Sequence, residues 1–336
     1  MKFKINAVIA FLTGLLLISL LIVFTSDTPF SSLYHFFSKP FTSKWHFGNM
    51  LNHFAMLLFA GCGAFFAFQT QNLNLGGEGQ IYISGLLTAL LFKTSWQIPA
   101  PLQFSVVLII ICVISGFIGF ISGYLKMKYN ITEILTSFLI SSAILPVTDY
   151  LISNPLRDNT SNLLGTAPIN ESFRLTKIFP PSNLSPSFFI AILITVMLSV
   201  LLNYTRFGYK LKTSGIAPEF AQLAGFNYKF TPVVGMSVSA MLYGMAGFFA
   251  ITGTWSICHL GFSNGMGWSG LAIGLMSGSS FYSVIPATFI YAWIDSAASA
   301  GILSGLFKFN TAIFLQAVIL LIISAKLFSR KEKCKH

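Results

Sequence analysis

The sequence is short of charge. Only 9% of its 336 residues are Asp, Glu, Lys or Arg, where a soluble globular chain carries about 25%. So few charges cannot cover a water-facing surface, which excludes a soluble enzyme, a disordered tail and a nucleic-acid-binding domain. Paired cysteines are missing too. Cys62, Cys112, Cys258 and Cys334 are scattered without a CxxC, so neither a disulfide framework nor a thiolate metal site is expected. The first three sit in apolar runs and read as small core hydrophobes. His46 and His53 have no third ligand near them and read as interfacial, so no metal is expected. There is no HExxH, and Ser-Gly pairs more often permit close helix packing than supply nucleophiles, which argues against an intramembrane enzyme. There is no Gly-Lys dipeptide, so no G-x-x-x-x-G-K-[ST] loop can cradle nucleotide phosphates, and this chain is expected to bind no cofactor itself.

What is present is hydrophobicity. Apolar residues make up 54%, aromatics 15%, and the mean hydropathy is +0.76. The expected fold class is an all-α integral membrane protein, surrounded by lipid. Apolar stretches predict helices near 5–24, 50–68, 81–92, 104–125, 132–152, 187–203, 231–252, 268–277, 281–298 and 311–328. The first is longer than a signal-peptide core and lacks a small-x-small cleavage site, so it reads as a retained span. The third and eighth are too short to span as straight helices. They predict broken segments, which a bilayer tolerates only under cover of protein or a watery cavity.

Basic residues orient this drawing. With the N-terminus inside, thirteen Lys and Arg fall in inner segments and seven in outer ones. Cytoplasmic loops collect such residues, and the net charge of +11 is read as this bias. Both termini are placed in the cytoplasm, which requires an even number of spans; ten are expected, in one transmembrane domain over 1–336. The outer loop, about 153–186, is rich in proline and predicts ordered loop or short helices. The inner loop, about 204–230, is long and basic. Within it, Ser214 and Gly215 precede Pro218 and Glu219, which suit a first helical turn, and Gly225 suits a stop. A helix of about two turns should carry Phe220 and Leu223 on one face, with Ala221 between them. It either lies on the bilayer or plugs into a cytoplasmic partner.

Two glycine-rich passages stand apart. The first is Asn74-Leu75-Gly76-Gly77-Glu78-Gly79-Gln80, and its glycines argue against a helix interior. Glu78 is either a functional intramembrane acid or a solvated cap on the helix that follows. The second passage repeats the spacing. Leu75-Gly76, seven residues, Ser84-Gly85-Leu86 becomes Leu260-Gly261, seven residues, Ser269-Gly270-Leu271, displaced by 185. In this topology the two copies run oppositely, which predicts an inverted repeat of 50–92 on 232–277, as in many transporters. A transporter driven by an ion gradient would use Glu78, Glu133, Asp149 or Asp295. Their alternative roles are caps and ion-pair partners, Glu133 with Lys126 or Lys128. Aromatic residues that could stack on a ring-bearing substrate are Trp96, Trp255, Phe262 and, within the second glycine-rich passage, Trp268.

The run Asn74 to Gln80 resembles the N-I-G-x-E-G-Q signature of ABC-importer permeases for simple sugars, nucleosides and branched-chain amino acids. Thr132-Glu133-Ile134-Leu135-Thr136, Asn154-Pro155-Leu156-Arg157-Asp158, Thr166-Ala167-Pro168-Ile169 and Thr205-Arg206-Phe207-Gly208-Tyr209-Lys210 resemble further segments in the family's order, over about 45–325. The sequence departs from the family at Thr132, at Ser141 and across Leu275–Phe281, where a basic residue is missing; this bears on substrate more than on fold. The Gly-Glu-Gly-Gln form and the outer loop look closest to the nucleoside branch. The resemblance implies a vitamin-B12-importer-like (type II) arrangement of about ten helices in the inner membrane. It implies a second permease chain, a substrate-binding lipoprotein of the basic-membrane-protein type, and separate ATPase subunits that use the ATP. With the repeat, the translocation pathway is expected at Asn74, Gly76, Gly77, Glu78, Gly79 and Gln80, and at Trp268 for its place in the second glycine-rich passage. Coupling to the ATPase falls to Ser214, Gly215, Pro218, Glu219, Phe220, Ala221, Leu223 and Gly225.

Overall fold

The computed structural model describes residues 28–303 except Ser279, together with 13, 15–17, 19–20 and 22–24. The first predicted span falls only partly on these residues, and the last, about 311–328, lies outside them. The described chain is helical, without a named strand among the described residues. Its α-helices are α1 (Pro29–Ser38), α2 (Lys44–Gln69), α3 (Gly77–Leu91), α4 (Ala100–Tyr129), α5 (Glu133–Ser153), α6 (Ser187–Tyr204), α7 (Arg206–Ile216), α8 (Pro218–Leu223), α9 (Thr231–Ala250), α10 (Met266–Met276) and α11 (Val284–Leu303). Among the described residues, five helical segments are long and apolar enough to cross a membrane: α2, α4, α5, α6 and the stretch Tyr228–Trp255 containing α9.

Local chemistry sets the helix ends. Ser43 caps α2 by accepting from the His46 amide at 3.2 Å. α4 starts after Pro99, carries Lys126 and Lys128 in its last turn, and stops at Asn130 in the left-handed conformation, φ 56°. It outruns the predicted 104–125 because the apolar run continues into residues that also suit helix. α1 and α7 were not anticipated. Thr205 begins α7 by accepting from the Gly208 amide at 3.1 Å.

The core is a pair of long antiparallel helices. On α2 and α9, Asn52 meets Thr254, Phe59 stacks on Phe249 and Thr70 packs on Gly235. Small residues let the backbones close: a Cβ at Gly63 would lie 2.9 Å from the Ser239 carbonyl. α4, α5 and α6 stand outside this pair and leave rows of apolar side chains exposed, among them Ile109, Phe117, Leu139 and Leu193. A water-soluble protein could not maintain such faces.

The outer loop is ordered mainly by backbone pairing. Thr166, Ile169 and Leu175 donate to the carbonyls of Cys258, Ser256 and Thr252, and its helix is the single turn Glu171–Phe173. Asp158 is held below the usual carboxylate range by the hydroxyl and then the amide of Thr160.

Candidate functional site

The two short helices are cross-packed. α3 lies on α9, where a Cβ at Gly247 would meet the Ile81 carbonyl at 2.3 Å. α10 lies on α2, where a Cβ at Gly270 would meet the Ala60 carbonyl carbon at 2.7 Å. Each short helix thus packs on the long helix of the other glycine-rich passage. Gly270 faces Ala60 and Gly274 faces Ala64, so α10 runs alongside α2 and its first turn falls level with Met56, near the middle of α2.

There the N-termini of α3 and α10 meet. A Cβ at Gly267 would lie 2.2 Å from the Glu78 nitrogen. Helix N-termini carry unpaired amides and partial positive charge, and one carboxylate serves this junction. Glu78 is 9% exposed. It accepts from the Ser263 hydroxyl at 2.6 Å, the Gly265 amide at 3.0 Å and the Gly267 amide at 2.8 Å. Of the two sequence readings, solvated cap and intramembrane acid, the first needs correction: Glu78 is buried, and it caps α10 rather than its own helix.

The glycine argument also needs correction. Helix α3 begins at Gly77, not Ile81. Gly77 and Gly79 lie in its first turn, where the helix is still gaining its hydrogen bonds and bare backbone is an advantage. The Gly79 amide donates to Ser141 at 2.9 Å and the Leu75 amide to Ser137 at 3.1 Å. A Cβ on Gly77 would strike the Tyr243 ring at 2.5 Å, and one on Gly79 would strike Ser141 at 2.6 Å. Here glycine supplies close approach. Asn74 completes the lock: its side-chain amide donates to Gln80 and Ser239 at 3.0 Å each, and its carbonyl accepts from Gly76 at 2.9 Å.

The sequence-predicted residues Asn74, Gly76, Gly77, Glu78, Gly79 and Gln80 are therefore together and buried; Asn74 bonds to Gly76 and Gln80, while Glu78 and Gly79 bond to the neighbouring elements. Trp268 is half-buried in the first turn of α10. Ser137, Ser141, Ser239 and Ser263 were missed; the signal that could have found the first two is their i, i+4 spacing on one face of α5. Of the aromatic candidates, Phe262 packs on Tyr82, centroids 5.4 Å apart, and Trp255 edges His259.

The other carboxylates also have partners. Glu133 pairs with Lys126 at 2.9 Å and accepts from the Leu73 amide at 3.3 Å. Asp149 accepts from the Tyr82 hydroxyl at 2.5 Å, which in turn accepts from the Gly261 amide at 2.8 Å. Asp295 meets His53 at 2.8 Å.

The inner loop is built separately. Ser214 is buried, and a Cβ on Gly215 would lie 2.8 Å from the Thr70 carbonyl carbon, so α7 ends against the end of α2. α8 then projects. Its Ala221 is buried, while Pro218 and Glu219 are exposed, Phe220 is 54% exposed and Leu223 89%. Gly225, at φ +73°, turns the chain back.

An apolar helical bundle organised around two broken helices is the architecture of a membrane permease. Comparison places it more narrowly: residues 46–324 match the model of the family described as branched-chain amino acid transport system / permease component, and the chain belongs to that family. It is similar to a probable riboflavin import permease of Treponema pallidum, 37% identical over 97% of this chain and 86% of that one. It is similar to a guanosine ABC transporter permease of Bacillus subtilis, 27% identical over 74% and 72%. A nucleoside ABC transporter permease of Lactococcus lactis is 25% identical over 86% of this chain and 82% of that one. No solved structure gives a significant match. The chain is the permease subunit of an ABC importer, a multi-pass membrane protein rather than the ATPase.

Proposed function

We propose that this chain imports riboflavin or a chemically related nucleoside: a flat nitrogen heterocycle carrying a ribityl or ribose chain. The observation that carries this is the 37% identity to the riboflavin permease over nearly the whole chain; the two nucleoside permeases support the wider class. In this reading the chain is one transmembrane domain with both termini in the cytoplasm. It stands beside a second permease in the type II arrangement and receives substrate from an external binding lipoprotein.

The run Asn74 to Gln80 serves the pathway as its frame. Its polar groups are already taken by one another and by Ser141, Ser239 and Gly265, so they hold the half-helices in place rather than reach for substrate. Trp268, beside that joint, supplies an aromatic face. Helix α8 is the contact to the ATPase. Phe220 and Leu223 present apolar surface at the tip of a basic loop, where an apolar pocket on the ATPase would receive them. ATP-driven closure of the ATPase pair then moves α7 and α8 against the end of α2.

The test is uptake by membrane vesicles holding the complete transporter, with labelled riboflavin, guanosine, galactose and leucine compared with and without ATP. ATP-dependent uptake of riboflavin or guanosine is expected. Uptake confined to galactose or leucine refutes the substrate class. Deleting 217–223, or Glu219→Lys, should abolish uptake in protein that still inserts; normal uptake by either removes the coupling role.

A further inference from the structure

A second feature lies away from the half-helix joint. At the foot of the bundle is a cavity of about 470 Å³, bounded by the ends of α2 and α4, the α7–α8 junction and the start of α9. Its size is that of a ligand pocket. Three lysines from two elements line it: Lys126 and Lys128 from α4 and Lys229 from the turn before α9. Asn130, Ser214 and Thr231 add hydrogen-bonding groups, and Thr231 opens helix α9, bringing the positive end of its dipole.

The charge there is unbalanced. Glu133 is already paired with Lys126, whose ammonium also donates to Asn72 at 2.8 Å. Lys128 lies over the Tyr124 and Tyr129 rings at 5.5 and 5.3 Å, and both it and Lys229 are exposed. Among the described residues, neither makes a salt bridge. The cavity sits where the apolar helices α2 and α4 end and α9 begins, and basic pockets between spans near their ends take anionic lipid headgroups.

We propose that this cavity binds a phosphate group, supplied by the headgroup of an anionic phospholipid, with Lys128 and Lys229 as its charged contacts. The bound lipid would tie the coupling loop to the ends of α2, α4 and α9. The site stands apart from the substrate assignment.

The test uses the full chain in neutral detergent, titrated with phosphatidylglycerol in mixed micelles, with bound lipid counted by native mass spectrometry. Phosphatidylglycerol should be retained in preference to phosphatidylcholine. Lys128→Gln with Lys229→Gln should weaken it roughly twenty-five-fold, at about fivefold per lysine. Lys210→Gln, exposed and outside the cavity, should leave it unchanged. If the double variant aggregates, Lys229→Gln alone is read for its fivefold. No preference over phosphatidylcholine, or equal retention by wild type and variants, overturns the proposal. Displacement of phosphatidylglycerol from wild type by millimolar inorganic phosphate upholds the phosphate site and assigns its source to a soluble anion.

Discussion

Glu78→Gln is the smallest change that separates a joint from a spectator. One carboxylate oxygen accepts from Ser263 and Gly265, the other from Gly267. Glutamine keeps one oxygen and puts a donor in place of the other. If the amide nitrogen faces Gly267, that N–H is opposed by another donor. If it faces Ser263, the hydroxyl can turn and accept, but the Gly265 N–H is orphaned. Either way one buried amide is lost, at about 1–3 kcal/mol, and the charge between two helix N-termini goes with it, about 0.5–1 kcal/mol more. Glu78→Ala orphans all three donors, and about 3–5 kcal/mol is expected once relaxation and entering water recover part of the loss. The assay is thermal unfolding in detergent micelles, with wild type most stable, Gln next and Ala least. Glutamine melting with wild type, or Gln and Ala falling together, would refute the reasoning.

Gly267→Ala should be worse than either, because its Cβ would fall 2.2 Å from the Glu78 nitrogen and meets backbone rather than a movable side chain; loss of folded protein on size exclusion is the expected readout. Lys126→Met leaves the buried Glu133 without its cation and should cost about 2–4 kcal/mol, with Glu133→Gln in the same chain restoring part of the melting temperature. Phe220→Asp with Leu223→Asp alters exposed side chains and should move stability by less than about 0.5 kcal/mol, yet lower ATP-driven uptake more than tenfold. Gly225→Ala has open space around its Cβ but a φ of +73°, so a cost of about 1–2 kcal/mol is expected from backbone strain alone.

Periodicity and punctuation carried much of the fold. The stretch predicted at 187–203 is α6, Ser187–Tyr204, and that at 132–152 is α5, Glu133–Ser153, because apolar runs bounded by proline, threonine and asparagine have few other solutions. The two short stretches were legible as broken helices from length alone. What the sequence left open was where each break points. Gly76 to Gly79 reads as a place where helix fails, and only the packing of Tyr243 and Ser141 shows bare backbone being used to start one. Glu78 reads as an acid near lipid, yet its donors lie 185 to 189 residues away, beyond any local signal. Proline, glutamate and glycine in order marked α8, whereas α7 went unseen because its sequence mixes charged and polar residues with apolar ones and its packing on α2 depends on the bare Gly215.

Glu78 and Ser263 stand 185 residues apart, the same interval that separates Leu75-Gly76 from Leu260-Gly261, and they touch. In the inverted repeat that this interval predicts, matching positions that meet lie on the line about which their surroundings turn, and whatever stands on such a line faces its own counterpart. Two glutamates would set carboxylate against carboxylate at hydrogen-bonding distance, in a place where, among the described residues, no cation pairs with Glu78. Two serines would leave the amides of Gly265 and Gly267 without an anion. Passages related in this way cannot stay identical at this point: one must carry the acid and the other must yield to it. The place where the two passages meet is thus the place where their chemistry is obliged to differ.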